Sequence, residues 1–136
     1  MSVIDGARLA VCRLESSAVL PDWLADARGF VSVTRTTEEL SIICPDELVP
    51  PDVRCERGFR LLKVEGPLPF DAVGIIARLA GVLAAVQISL IAVGTFDTDY
   101  VLIKDDRRES AIAALRDAGF EVTLEAPDAH GSGRTA

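Results

Sequence analysis

The sequence contains no asparagine, and its one histidine, His130, stands near the C-terminal end. A lone His in a polar tail leaves no base for a Ser-His-Asp or Cys-His arrangement and no ligand for a His-containing zinc site. Basic residues are also scarce: 14 Lys and Arg oppose 21 Asp and Glu, a net charge of −7. The densest basic stretch, Arg54, Arg57, Arg60 and Lys63, is interrupted by Glu56 and Glu65. A phosphate-backbone binder carries a basic footprint, and an anionic membrane surface attracts one, so nucleic acid and membrane are not expected partners. Aromatics make up 5% of the chain, too few for a sheet that stacks bases, and they leave the core to Val, Ile, Leu and Ala.

Cysteine is sparse as well. Cys12, Cys44 and Cys55 are odd in number and form no Cys-x-x-Cys pair, which suits free thiols in a reducing cytoplasm. Cys12 and Cys44 lie in apolar runs and read as core; Cys55 sits between Arg54 and Glu56. Charges within the first apolar run argue against a signal peptide. Leu79–Phe96 is 18 residues without a charge, close to a membrane span. Its first half is rich in Ala and Leu and its second half reads ISLIAV, so a buried helix followed by a buried strand is expected.

What is present is a globular balance. The 136 residues are 49% hydrophobic and 26% charged, enough for a core of one domain or two very small ones. Strands are expected at Ala7–Leu14, Phe30–Arg35, Glu38–Cys44, Val53–Arg57, Phe59–Glu65, Ile88–Phe96, Tyr100–Lys104 and Phe120–Leu124. Short helices are expected at Pro21–Ala27 and Pro45–Leu48. Asp71–Val86 is the strongest helix, with Asp71 as cap and Val73, Ile76, Ala77, Ala80, Leu83 and Ala84 inward. A second helix opens at Asp105-Asp106, turns Ile112 and Leu115 inward and stops before Gly119.

An internal repeat organises these elements. VSVTRTTEELSIICPDEL from Val31 aligns without a gap on IAVGTFDTDYVLIKDDRR from Ile91, an offset of 60 that matches Leu40 to Tyr100. Upstream, RLAVCRLES from Arg8 resembles RLLKVEGPL from Arg60 at an offset of 52, so the first copy has lost about eight residues in its first helix. Each copy reads βαββαβ, the ferredoxin-like unit. The expected fold is α+β: two tandem ferredoxin-like units, residues 1–57 (shortened helices) and 58–125, with antiparallel sheets and helices on one face, then a disordered tail over 126–136. Ile88–Val93 and Phe30–Val33 are apolar toward both faces, so the second sheet face should be covered by the other repeat or another subunit.

Two segments have chemistry to offer. Val64–Ile75 runs from a strand through Gly66-Pro67 into a helix start, whose free N–H groups favour an anion, while Asp71 favours a cation. A zwitterion with one carboxylate and one ammonium fits that pair of signs. The same residues also serve as a plain turn and cap, with Gly74 easing helix packing. In Gly94–Lys104, Thr95, Asp97, Thr98 and Asp99 gather at one strand end, which equally suits an ordinary hairpin turn. Asp97 and Asp99 lack the spaced oxygen ligands of a calcium loop, and no catalytic constellation surrounds them, so neither metal nor acid–base chemistry is expected.

These segments stand as Glu65-Gly66-Pro67-Leu68-Pro69-Phe70-Asp71-Ala72-Val73-Gly74-Ile75 and Gly94-Thr95-Phe96-Asp97-Thr98-Asp99-Tyr100. They resemble the E-G-x-L-x-F-x-x-x-G-I and S-T-x-x-T-D-Y segments of small tandem ACT-domain proteins. EELSIICP, Glu38–Pro45, fits the same branch, which is similar to the domains of the animal cytosolic arginine sensors. One departure is Gly94, where the family usually has Ser. The resemblance implies a non-enzymatic regulatory protein without cofactor, binding an amino acid where the loop before a first helix meets the second strand of a neighbouring domain. It carries over Glu65, Gly66, Leu68, Phe70, Asp71, Gly74, Thr95, Phe96, Asp97, Thr98 and Asp99 as ligand-binding positions. A homodimer or higher homo-oligomer is expected. A plain interaction module is the alternative, and an acyl-phosphate hydrolase on this fold would want an Asn that the chain lacks.

Overall fold

The computed structural model describes the backbone of residues 2–65 and 74–124, with side chains from 6–64 and 74–124. Seven strands, β1 (Ser2–Leu14), β2 (Ser32–Arg35), β3 (Leu40–Pro45), β4 (Cys55–Glu65), β5 (Ile91–Gly94), β6 (Asp99–Lys104) and β7 (Glu121–Leu124), join two helices, α1 (Ile75–Ala85) and α2 (Arg108–Asp117). The strands form one sheet ordered β2-β3-β1-β4-β6-β5. All of these pairs are antiparallel. β7 adds to β1 in parallel, so the fold is α+β with a largely antiparallel sheet.

β1 changes partner along its length. Ser2–Asp5 pair with β7, and Leu9–Leu14 pair with β3, while β4 runs along the other side. β4 is likewise shared. Its first residues pair with the end of β1, and Phe59–Val64 pair with β6. The two expected strands Val53–Arg57 and Phe59–Glu65 are therefore one strand, and the expected boundary after residue 57 falls inside it. Two bulges make the fusion possible. Leu9 opposes Phe59 and Val11 opposes Glu56, so β4 carries one extra residue, next to Gly58 at φ +79°. Asp5 opposes Leu62 and Arg8 opposes Arg60, so β1 carries an extra residue at Gly6-Ala7. A bulge turns the strand without ending it.

The expected helices of the first half are each one 3-10 turn, Asp22–Leu24 and Asp46–Leu48. The hairpins align one residue away from the expected offset. Thr36 and Thr95 open equivalent four-residue turns, 59 residues apart, and the 3-10 turns at Asp46 and Asp105 share that spacing. The cross-strand pairs agree: Arg35 opposes Leu40 as Gly94 opposes Asp99.

Leu62, Val64, Val101, Ile103 and Val122 receive Leu79 and Leu83 of α1 and Ala111, Ile112 and Leu115 of α2. Each fully buried Leu contributes about 2 kcal/mol of transfer free energy. α1 differs from expectation in extent and face. Asp71 and Val73 lie outside the described residues, and Ala77 and Ala84 are exposed. Leu79 and Leu83, one turn apart, hold the inward stripe because their area outweighs that of the alanines. On the same sheet face in the first half, Ala10, Cys12, Leu40, Ile42, Cys44 and Val49 pack with Trp23 and Leu24 of the short turn.

The opposite face carries Leu9, Ile43, Leu61 and Leu102, with Phe30, Phe59 and Tyr100 against them. The sheet closes this face by curling. Phe30, just before edge strand β2, meets Tyr100 of β6 edge-to-face at 4.9 Å. The expected cover is thus contributed by both halves of the same chain.

Both helices end on a left-handed residue with paired C-terminal hydrogen bonds. After α1, Gln87 (φ +62°) donates to Ala84 O and Ile88 to Leu83 O. After α2, Gly119 (φ +96°) donates to Arg116 O and Phe120 to Leu115 O. Ile88 and Phe120 then enter the core. The uncharged run from Leu79 is thereby divided into α1, a cap, a connector and β5. Among the described residues, no helix is long and apolar enough to cross a membrane.

Candidate functional site

The sheet register sets the end of β4, where the first sequence-selected segment begins, beside the second segment. Val64, next to last in β4, opposes Asp99, the first residue of β6, and Asp99 opposes Gly94, the last of β5. The Thr95–Thr98 turn therefore stands beside the end of β4, from which the chain continues to α1. Gly66, Leu68, Phe70 and Asp71 lie outside the described residues, and Glu65 is placed by its backbone alone. Gly74 precedes α1 and is exposed; among the described residues a Cβ there would meet nothing within 4 Å.

The turn is built by its first residue. Thr95 N–H donates to Thr98 O at 2.8 Å, and the Thr95 hydroxyl donates to Thr98 O at 3.0 Å and accepts from Thr98 N–H at 3.2 Å. Thr36 does the same in the first half, accepting from Glu38 N–H at 3.1 Å and Glu39 N–H at 3.2 Å. A Thr hydroxyl bonded to its own turn competes with water and fixes the loop. Thr95 is thus a structural residue of the turn as well as a candidate ligand contact.

The turn leaves Phe96 and Asp97 pointing out; Phe96 is 102% exposed relative to its reference state. Asp99 is half-buried. Its side chain lies on the sheet face that packs against the helices, because its partner Val64 belongs to the helix-side core. Gly94 matters to that position. A Cβ on Gly94 would lie 3.3 Å from Asp99 Oδ1, so the absent side chain is the space into which the carboxylate leans. This clearance at Gly94, where the resembling family usually has Ser, is visible only through the cross-strand pairing with Asp99.

Chemically, this sheet end offers one half-buried carboxylate, one outward carboxylate and an exposed aromatic ring. Among the described residues, no group of three or more His, Cys, Asp or Glu could hold a metal ion.

Comparison with known proteins fits this geometry. A sequence model of the ACT domain matches residues 54–117, and a second, describing an N-terminal domain, matches residues 7–52. The human cytosolic arginine sensor for mTORC1 subunit 1 is 41% identical over 59 residues, 43% of this chain. The match spans 18% of that relative's length. A crystal structure of an Agobacterium tumefaciens protein is 35% identical, covers 93% of this chain and 96% of its own, and superposes with a TM-score of 0.85. The Escherichia coli aspartokinase III, solved with aspartate and ADP, shares the fold at 17% identity, covering 88% of this chain and 33% of its own, with a TM-score of 0.62. The sequence match, with the α+β sheet described above, identifies residues 54–117 as an ACT domain.

Proposed function

We propose that the chain is a non-enzymatic regulatory protein that binds an amino acid, or a similar small zwitterion, beside the Thr95–Thr98 turn. The observation that carries this reading is the register Val64–Asp99–Gly94, which sets a half-buried carboxylate beside the strand end leading into α1. Asp99, with Asp71, would take the ammonium, and the N–H groups at the start of α1 would take the carboxylate. The other proposed ligand contacts are Glu65, Gly66, Leu68, Phe70 and Gly74 from the segment before α1, and Thr95, Phe96, Asp97 and Thr98 from the turn. The arginine-sensing relative and the aspartate-bound aspartokinase support an amino acid as the ligand class.

The chain is read as two tandem ACT units, 1–57 and 58–125, that share β4. The equivalent threonine turns and 3-10 turns 59 residues apart support this division. The protein is taken to be cytoplasmic and to work as a homodimer or higher homo-oligomer, with occupancy relayed through subunit contacts. A thermal-shift screen against the standard amino acids tests the reading. A saturable rise in melting temperature with one or a few of them is expected; no shift with any would favour a plain interaction module instead.

A further inference from the structure

Three thiols stand together in the first half, away from the Thr95 turn. Cys12 on β1 lies directly opposite Cys55 on β4. On the other side of β1, Cys44 of β3 opposes Ala10, two residues before Cys12 on the same sheet face. All three pack in one core cluster, with Cys12 and Cys44 buried and Cys55 half-buried. The neighbouring Cys44 thiol, then burial, hold Cys12 protonated, and the neighbouring Cys12 thiol pulls Cys44 below the usual thiol range. Burial, first, pushes Cys55 up.

The backbone decides which two can join. Arg13 N–H donates to Arg54 O at 3.0 Å, so the neighbouring pair, Cys12 and Cys55, occupies a non-hydrogen-bonded site. At such sites the Cα atoms approach to about 4.5 Å, within the span a disulfide accepts. Cys44 lies diagonally from Cys12, where antiparallel neighbours are about 7–8 Å apart, at or beyond that span.

We propose that Cys12 and Cys55 are an oxidisable dithiol that a hydroperoxide converts to a cross-strand disulfide between β1 and β4. Cys55 is the reachable thiol. Its sulfur, as the thiolate, attacks the terminal peroxide oxygen, the O–O bond breaks, and an alcohol or water leaves with the proton. The resulting sulfenic acid is then attacked by the Cys12 sulfur, which loses its proton, and water departs. Two thiols have given two electrons to one peroxide. Cys44 has the lower thiol pKa but is shut from solvent, so it remains reduced while the fold is intact. The link would close the strand pair that both halves of the sheet share.

The test uses the intact folded chain treated with hydrogen peroxide, then alkylation and non-reducing peptide mapping. The expected product is a Cys12–Cys55 linked peptide with two thiols lost per chain. Cys44 should become alkylatable only after unfolding. The melting temperature should rise with the link and fall back on adding dithiothreitol. Cys44→Ala should retain the link, and Cys55→Ala should abolish it. Four outcomes would overturn the proposal: a Cys12–Cys44 link, a Cys55 sulfinic acid with Cys12 still free, an intermolecular Cys55–Cys55 link, or no thiol loss in the folded chain. The wild-type map decides even if a variant folds poorly.

Discussion

Replacing Asp99 by Asn probes the site with little disturbance to the fold. The side chain keeps its size and its place opposite Val64 and Gly94. What it loses is the negative charge on the helix side of the sheet. A hydrogen bond between an ammonium and a carboxylate contributes about 1.5–3 kcal/mol. At 1.4 kcal/mol per factor of ten, D99N should weaken ligand affinity about 10- to 150-fold. Because Asp99 is half-buried and belongs to no core cluster, stability should change by no more than about 0.5 kcal/mol. Isothermal titration of wild type and variant with the ligand found by thermal shift reads the first quantity, and urea unfolding reads the second. Equal affinity in both proteins, with binding otherwise intact, would refute the role given to Asp99. Gly94→Ala is the companion variant. Its Cβ would lie 3.3 Å from Asp99 Oδ1, so the carboxylate must move by a few tenths of an ångström. A smaller loss of affinity than D99N is expected, and a gain would mean that the clearance at Gly94 is not used.

Other consequences concern the scaffold. Gly119→Ala forces an L side chain into φ +96°, where its Cβ meets nothing nearer than Arg78 Nη2 at 3.6 Å. The cost is therefore backbone strain of about 1–2 kcal/mol, read as a lower urea midpoint. Gln87→Gly should act in the opposite direction by about 0.5–1 kcal/mol, since the left-handed strain at φ +62° is relieved while the Arg107 bond to the Gln87 carbonyl survives. Leu83→Ala should cost about 2–5 kcal/mol, because Leu83 is fully buried between α1 and the sheet.

Much of this architecture was legible because apolar spacing is a direct image of burial. Ile112 and Leu115 identified the inward side of α2, and Gly119 its end. The shortened helices of the first half also followed from the missing residues between its blocks. Other features depend on pairing, which a single strand does not encode. Arg57-Gly58 looked like a break, yet Gly58 makes a bulge through which β4 continues. Matching Leu40 to Tyr100 respected hydrophobicity but inverted the face. Leu40 is buried with Ile42 on the helix side, whereas Tyr100 packs with Phe30 on the concave side. A one-residue shift reverses the face of every side chain in a strand. The curl that joins Phe30 to Tyr100 likewise arises from contacts between distant strands. At the site, Asp99, Thr95 and Thr98 were identified from their residue types, while the clearance at Gly94 needed the register with Asp99.

The central claim is that a small zwitterion sits between the Glu65–Gly74 segment and the Thr95–Asp99 segment. A crystal structure of the chain with the amino acid that raises its melting temperature tests this most directly. The ligand's ammonium is expected within hydrogen-bond distance of the Asp99 carboxylate, and its own carboxylate at the start of α1. Ligand density at another surface, with Asp99 facing only water, would contradict it.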